Sequence, residues 1–86
     1  MDYVINRDYG GFKVPQEVAD ELDCSVWNFS YEIRTSYELI EWVHAHPNDT
    51  TLAVVNIPDE ATDWELLEYD GFEQVLAVID GRIVHL

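Results

Sequence analysis

Two Asp-Gly pairs stand ten residues apart in the last third of the chain, Asp70-Gly71 and Asp80-Gly81. Each sits between β-prone segments: Trp64 to Tyr69 and Phe72 onward for the first, Val75 to Ile79 and Ile83-Val84-His85-Leu86 for the second. A two-residue type I′ turn needs positive φ at both central residues, and Asp-Gly meets that need at low steric cost. The spacing therefore predicts two successive hairpins, an antiparallel meander. The rival is a helix over Glu73 to Ile79, because a short apolar run has no period that separates helix from strand.

Helix and strand signals mix in the rest of the chain. Tyr3-Val4-Ile5 reads as a short strand that stops at Asn6-Arg7-Asp8-Tyr9-Gly10-Gly11. Pro15 suits a first helical position, and Val14, Val18 and Leu22 recur on one face of a helix of about 15–22. Trp27, Phe29, Tyr31 and Ile33 alternate with Asn28, Ser30 and Glu32, which reads as a half-buried strand or extended arm whose aromatic face is core. Thr35 or Ser36 caps a second helix with Leu39, Ile40 and Val43 as its stripe. The apolar run Leu52-Ala53-Val54-Val55 reads as a central strand. The expected architecture is α+β, one domain over 1–86, with two short helices packed on one face of a small, mainly antiparallel β-sheet.

Charge narrows the function classes. The 86 residues hold 18 Asp and Glu against 4 Lys and Arg, a formal net charge of −14. Nucleic-acid binding needs cations to neutralise phosphates, and an anionic membrane surface attracts basic segments, so neither is an expected partner. The single cysteine, Cys24, excludes an intramolecular disulfide and a Cys-rich zinc site. No apolar run approaches membrane-spanning length, and Met1-Asp2-Tyr3-Val4 has no leader character. A soluble, cytoplasmic protein is expected.

Three segments in order carry a resemblance. They are Tyr9-Gly10-Gly11-Phe12, then Arg34-Thr35-Ser36-Tyr37-Glu38-Leu39-Ile40-Glu41, then Val55-Asn56-Ile57-Pro58 with Glu68-Tyr69-Asp70-Gly71. Together they resemble small tailed-phage and prophage proteins with a YGGF-like segment near the N-terminus and an EYDG-like segment near the C-terminus. The chain differs from that pattern at Lys13-Val14-Pro15 and in its last residues. The resemblance implies a phage origin, hence the cytoplasm of a bacterial host cell, and no particular chemistry.

Asp59, Glu60, Asp63, Glu65, Glu68, Asp70 and Glu73 place seven carboxylates within 15 residues without a Lys or Arg. On a strand, Asp63 and Glu65 share a face about 6.7 Å apart, and Glu68 points to the other. Such a surface suits a polyanion decoy for the basic groove of a nucleic-acid-binding protein. With the phage resemblance, the expected function is an inhibitor of a host defence nuclease, anti-CRISPR-like, with a Cas effector or restriction nuclease as partner. Asp59, Glu60, Asp63, Glu65, Glu68 and Asp70 carry the charge, and Tyr69 and Phe72 are the apolar anchors. One alternative is sequestration of a nucleotide signal at the Gly10-Gly11 loop between Arg7 and Lys13. The other is a phage accessory or assembly protein whose acidity only solubilises it.

Catalysis is not expected. His44 and His46 fall on different faces of a helix, Cys24 follows Asp23, and no nucleophile–base order is present. No cofactor or metal is expected. An open strand edge near Ile83 to Leu86 allows a homodimer.

Overall fold

The computed structural model describes residues 1–86. Strands β1 (Asp2–Asn6) and β2 (Leu52–Asn56) form an antiparallel two-stranded ribbon, with Tyr3 opposite Val55 and Ile5 opposite Ala53. Three short helices lie between them in sequence: α1 (Gln16–Leu22), α2 (Tyr31–Arg34) and α3 (Tyr37–Ala45). The last third is a separate antiparallel sheet in the order β3 (Asp63–Tyr69), β4 (Phe72–Ile79), β5 (Arg82–His85).

Both Asp-Gly pairs make the turns expected of them. Tyr69 pairs with Phe72 and Ile79 with Arg82, leaving two-residue loops. Asp70 and Gly71 have φ of 50° and 88°, and Asp80 and Gly81 of 53° and 74°, as type I′ requires. The segment 73–79 is therefore strand, and the helical alternative falls.

The ribbon is the middle layer of three. Val4 and Leu52 pack with Val14, Val18, Ile33, Leu39 and Val43 on the helical side. Tyr3, Ile5, Val55 and Ile57 pack against Val75 of β4, with Trp64 and Leu66 beside them. This arrangement corrects the expectation of a central strand. β2 lies at the edge of a two-stranded ribbon, and its run is continuously apolar because both faces are covered.

Two further expectations change. The α+β class holds, but there are three helices and two sheets rather than two helices on one sheet. The Trp27–Ile33 stretch is not a strand. Ser25 Oγ accepts from Trp27 N (3.1 Å), Asn28 Oδ1 accepts from Ser30 N (3.0 Å), and the Ser30 side chain caps α2. These short polar side chains bond their own backbone and turn the chain. Trp27 and Phe29 are thereby left 62% and 69% exposed rather than in the core. Ser36 caps α3 as expected, and Leu39 and Val43 are its buried residues. Pro15 is the N-cap of α1, one residue outside the helix.

Candidate functional site

One buried ion pair ties the layers together. The Arg34 guanidinium at the end of α2 meets the Glu73 carboxylate of β4 in a bidentate pair, Nη1 to Oε1 at 2.8 Å and Nη2 to Oε2 at 2.7 Å. Arg34 Nε also donates to Phe29 O (2.9 Å) and Nη1 to Val4 O (3.1 Å). Its plane lies over the Phe12 ring at 4.1 Å. Glu73 Oε1 additionally accepts from Asn6 N at 2.8 Å. Glu73 thus leaves the surface cluster to which its sequence neighbours assign it. No property of residue 73 in isolation signals this, because its partner lies 39 positions away.

Asn6 is the second polar link. Its Nδ2 donates to Asp8 O and Gly71 O, both at 2.7 Å, and its Oδ1 accepts from Thr51 Oγ1 at 2.7 Å. Gly10 N donates to Asp70 O at 3.1 Å. The Gly10-Gly11 loop therefore lies directly on the first hairpin turn. A Cβ at Gly71 would overlap Gly11 N and come within 2.8 Å of Gly10 N. Two of the three glycine-bearing motifs of the sequence, Gly10-Gly11 and Asp70-Gly71, meet in space.

That contact bears on the ligand-loop alternative. Gly10 N–H is already bonded, and α1 starts only at Gln16. Arg7 Nη2 reaches Leu86 O (3.1 Å), while Lys13 Nζ sits 5.3 Å from the Trp27 ring centre. The two cations point to different parts of the molecule.

The candidate partner residues divide. Alternation along β3 sends Trp64 and Leu66 inward and leaves Asp63, Glu65, Leu67 and Tyr69 on the outer face. The β4 residues opposite them are Val78, Leu76, Gln74 and Phe72, and Ile83 of β5 lies beside Val78. Asp63 and Glu65 thus border an apolar strip that ends in Tyr69 and Phe72. Tyr9 extends it, its ring 5.9 Å from that of Phe72. Tyr69 and Ile83 are 72% and 70% exposed, and a shallow hollow of about 100 Å³ opens among Asp63, Glu65, Leu76, Val78 and Ile83. Asp59 and Glu60 are exposed in the β2–β3 connection. Glu68 lies on the other face and holds the turn by accepting from Gly71 N, and Asp70 is in the turn itself.

Comparison with known proteins returns no matching family model, no matching curated protein and no matching solved structure. The chemistry of the face is therefore read from its own residues.

The Arg34–Glu73 pair is the one salt bridge in the molecule. It consumes one of four Lys and Arg residues and one of 18 carboxylates, so the whole net charge of −14 sits outside it. The imidazole of His46 stacks on Trp42 at 4.0 Å and its Nδ1 faces Trp42 O at 2.7 Å. Trp42 Nε1 donates to Glu17 Oε1 at 2.7 Å. The Tyr3 phenol is pushed above its ordinary value, mainly by burial. Glu73 and Tyr31 add to that shift and Arg34 opposes it. No helix is long and apolar enough to cross a membrane.

Proposed function

We propose that this chain is a binding protein that occupies the basic, nucleic-acid-binding groove of another protein as a polyanion mimic. The observation that carries the reading is the outer face of the β3–β4–β5 sheet. Asp63 and Glu65 there border an exposed strip bearing Leu67, Tyr69, Phe72 and Ile83, with Asp59 and Glu60 in the adjoining loop. Carboxylates without salt-bridge partners steer a cationic surface, and aromatic anchors supply the desolvated contact that holds it. The resemblance to phage proteins favours a defence nuclease as target, a Cas effector or a restriction enzyme, and hence an inhibitor of the anti-CRISPR kind. Such an inhibitor works in the host-cell cytoplasm without a cofactor or catalysis.

The test is competition. Labelled duplex DNA is bound to purified Cas effectors and restriction nucleases, and the chain is titrated in. The expected result is displacement from one class of nuclease, weakened by salt and lost in Glu60→Lys/Asp63→Lys/Glu65→Lys. Equal displacement by that triple variant would refute the mimic.

A further inference from the structure

The two edges of the β1–β2 ribbon are finished differently. Bonds from Arg7 N to Thr51 O (2.8 Å) and from Ile57 N to Met1 O (2.7 Å) flank its ladder. Antiparallel alternation then makes Tyr3/Val55 and Ile5/Ala53 the hydrogen-bonded pairs. The backbone groups of Val4 and Asn6 point away from β2, and those of Leu52, Val54 and Asn56 point away from β1. On β1 one outward group of each residue is taken by a side chain: Arg34 Nη1 donates to Val4 O, and Asn6 N donates to Glu73 Oε1. The buried ion pair stands where a third strand would. On β2, Leu52 N reaches only Thr50 Oγ1 at 3.1 Å, and no strand lies beyond. Val54 N–H and C=O have no protein partner.

Open edges are usually guarded by Lys, Pro, a bulge or shortness. Strand β2 has five residues and none of these guards. It lies in Thr50–Pro58, nine residues without a charged side chain and the longest such run in the chain. The other edges are guarded: β5 has four residues and carries Arg82, and β3 carries Asp63, Glu65 and Glu68. In a molecule of net charge −14, the β2 edge is where a second copy meets no opposing carboxylate on the strand itself, and a cationic partner finds nothing there to pair with.

We propose that two copies of this chain join edge to edge through β2, forming one four-stranded antiparallel sheet in the order β1-β2-β2-β1. A two-fold axis through Val54 sets Val54 against Val54 and Leu52 against Asn56 of the second copy. These three hydrogen-bonded pairs exchange roughly six hydrogen bonds. The seam is on the ribbon and not on the outer face of the three-stranded sheet, so it stands apart from the proposed partner site.

Salt separates the two. Binding to a basic groove weakens with salt, whereas two like-charged copies repel less. With centres about 25 Å apart, as the molecular width sets, raising salt from about 0.15 M to about 0.5 M tightens the dimer about tenfold. Sedimentation equilibrium is expected to give twice the 10.0 kDa chain mass, more completely at the higher salt. Amide exchange by NMR is expected to show concentration-dependent protection at Leu52, Val54 and Asn56. Ala53 and Val55, already bonded to β1, are expected to show none. Val54→Pro removes an outward N–H that the ribbon does not use and is expected to give the monomer. Asn56→Pro does the same at an exposed position, with circular dichroism reporting the fold of both. A 10.0 kDa species at every concentration and salt overturns the proposal. So does a dimer that survives both prolines with the outward amides still exchanging.

Discussion

Replacing Glu73 by Gln removes one charge and almost no volume at the centre of the molecule. Glutamine Oε1 can still accept from Asn6 N and Arg34 Nη1, but its amide nitrogen then faces Arg34 Nη2, donor against donor. Arg34, 2% exposed, is left a buried cation without a counter-ion. Breaking a buried pair in this way costs about 3–5 kcal/mol. A domain of this length has about 4–13 kcal/mol in total, so a large share of the stability is expected to go. At about 4–8 °C per kcal/mol, the melting temperature falls by roughly 12–40 °C. Urea titration followed by tryptophan fluorescence measures the loss, and the slope is expected to stay unchanged. A loss under about 1 kcal/mol would show that Arg34 does not depend on Glu73 as its buried counter-ion. The double variant Arg34→Met/Glu73→Leu separates charge from edge capping. It removes both charges but leaves Val4 O, Phe29 O and Asn6 N without the partners they have now. It is therefore expected to stay below the wild type, at about 1–3 kcal/mol for each group that water does not reach. Equal or greater stability would show that the pair does not cap β1.

Two further outcomes follow from the turns and from Tyr3. Gly71→Ala is expected to destabilise by about 2–4 kcal/mol, because a Cβ strikes the Gly10-Gly11 backbone at a position that also needs positive φ. Gly81→Ala, in the same turn type but facing open space, is expected to lose only about 1 kcal/mol; equal losses in chemical denaturation would contradict the close approach. Because the folded-state value of the Tyr3 phenol lies above its ordinary 10.0, the folded state holds that proton longer than the unfolded one does. The corresponding stability is fully present below about pH 10 and is lost as pH rises through the folded value. Tyr3→Phe is expected to flatten that alkaline decline in denaturation measured from pH 8 to 12, and an unchanged decline would assign it to other groups.

Much of the local structure is legible in single residues. Asp70-Gly71 and Asp80-Gly81 specify their turns because few other pairs tolerate two positive φ angles. Ser36 marks the start of α3, and Val14 and Val18 mark the buried face next to and along α1, because capping and 3.6-residue periodicity are local. The Trp27–Tyr31 stretch misleads for a local reason too. Alternation of apolar and polar residues predicts a strand, but Ser25, Asn28 and Ser30 are turn and cap formers, and their bonds to nearby backbone prevail.

Residue type and short spacing therefore suffice for the fold class, the two Asp-Gly turn positions and the net charge, whereas strand rather than helix over 73–79 is settled by its pairing with β3 and β5. Tertiary structure decides which of those charges is exposed and which is interior. Glu73 sits among six other carboxylates in sequence, yet packing brings it to Arg34, 39 residues away. Only that meeting makes it a buried counter-ion and edge cap. The same holds for β2, whose apolar run requires burial on both faces but does not say whether a strand follows on each side. That depends on which backbone groups the folded chain leaves unpaired, and no short-range rule in the sequence counts them.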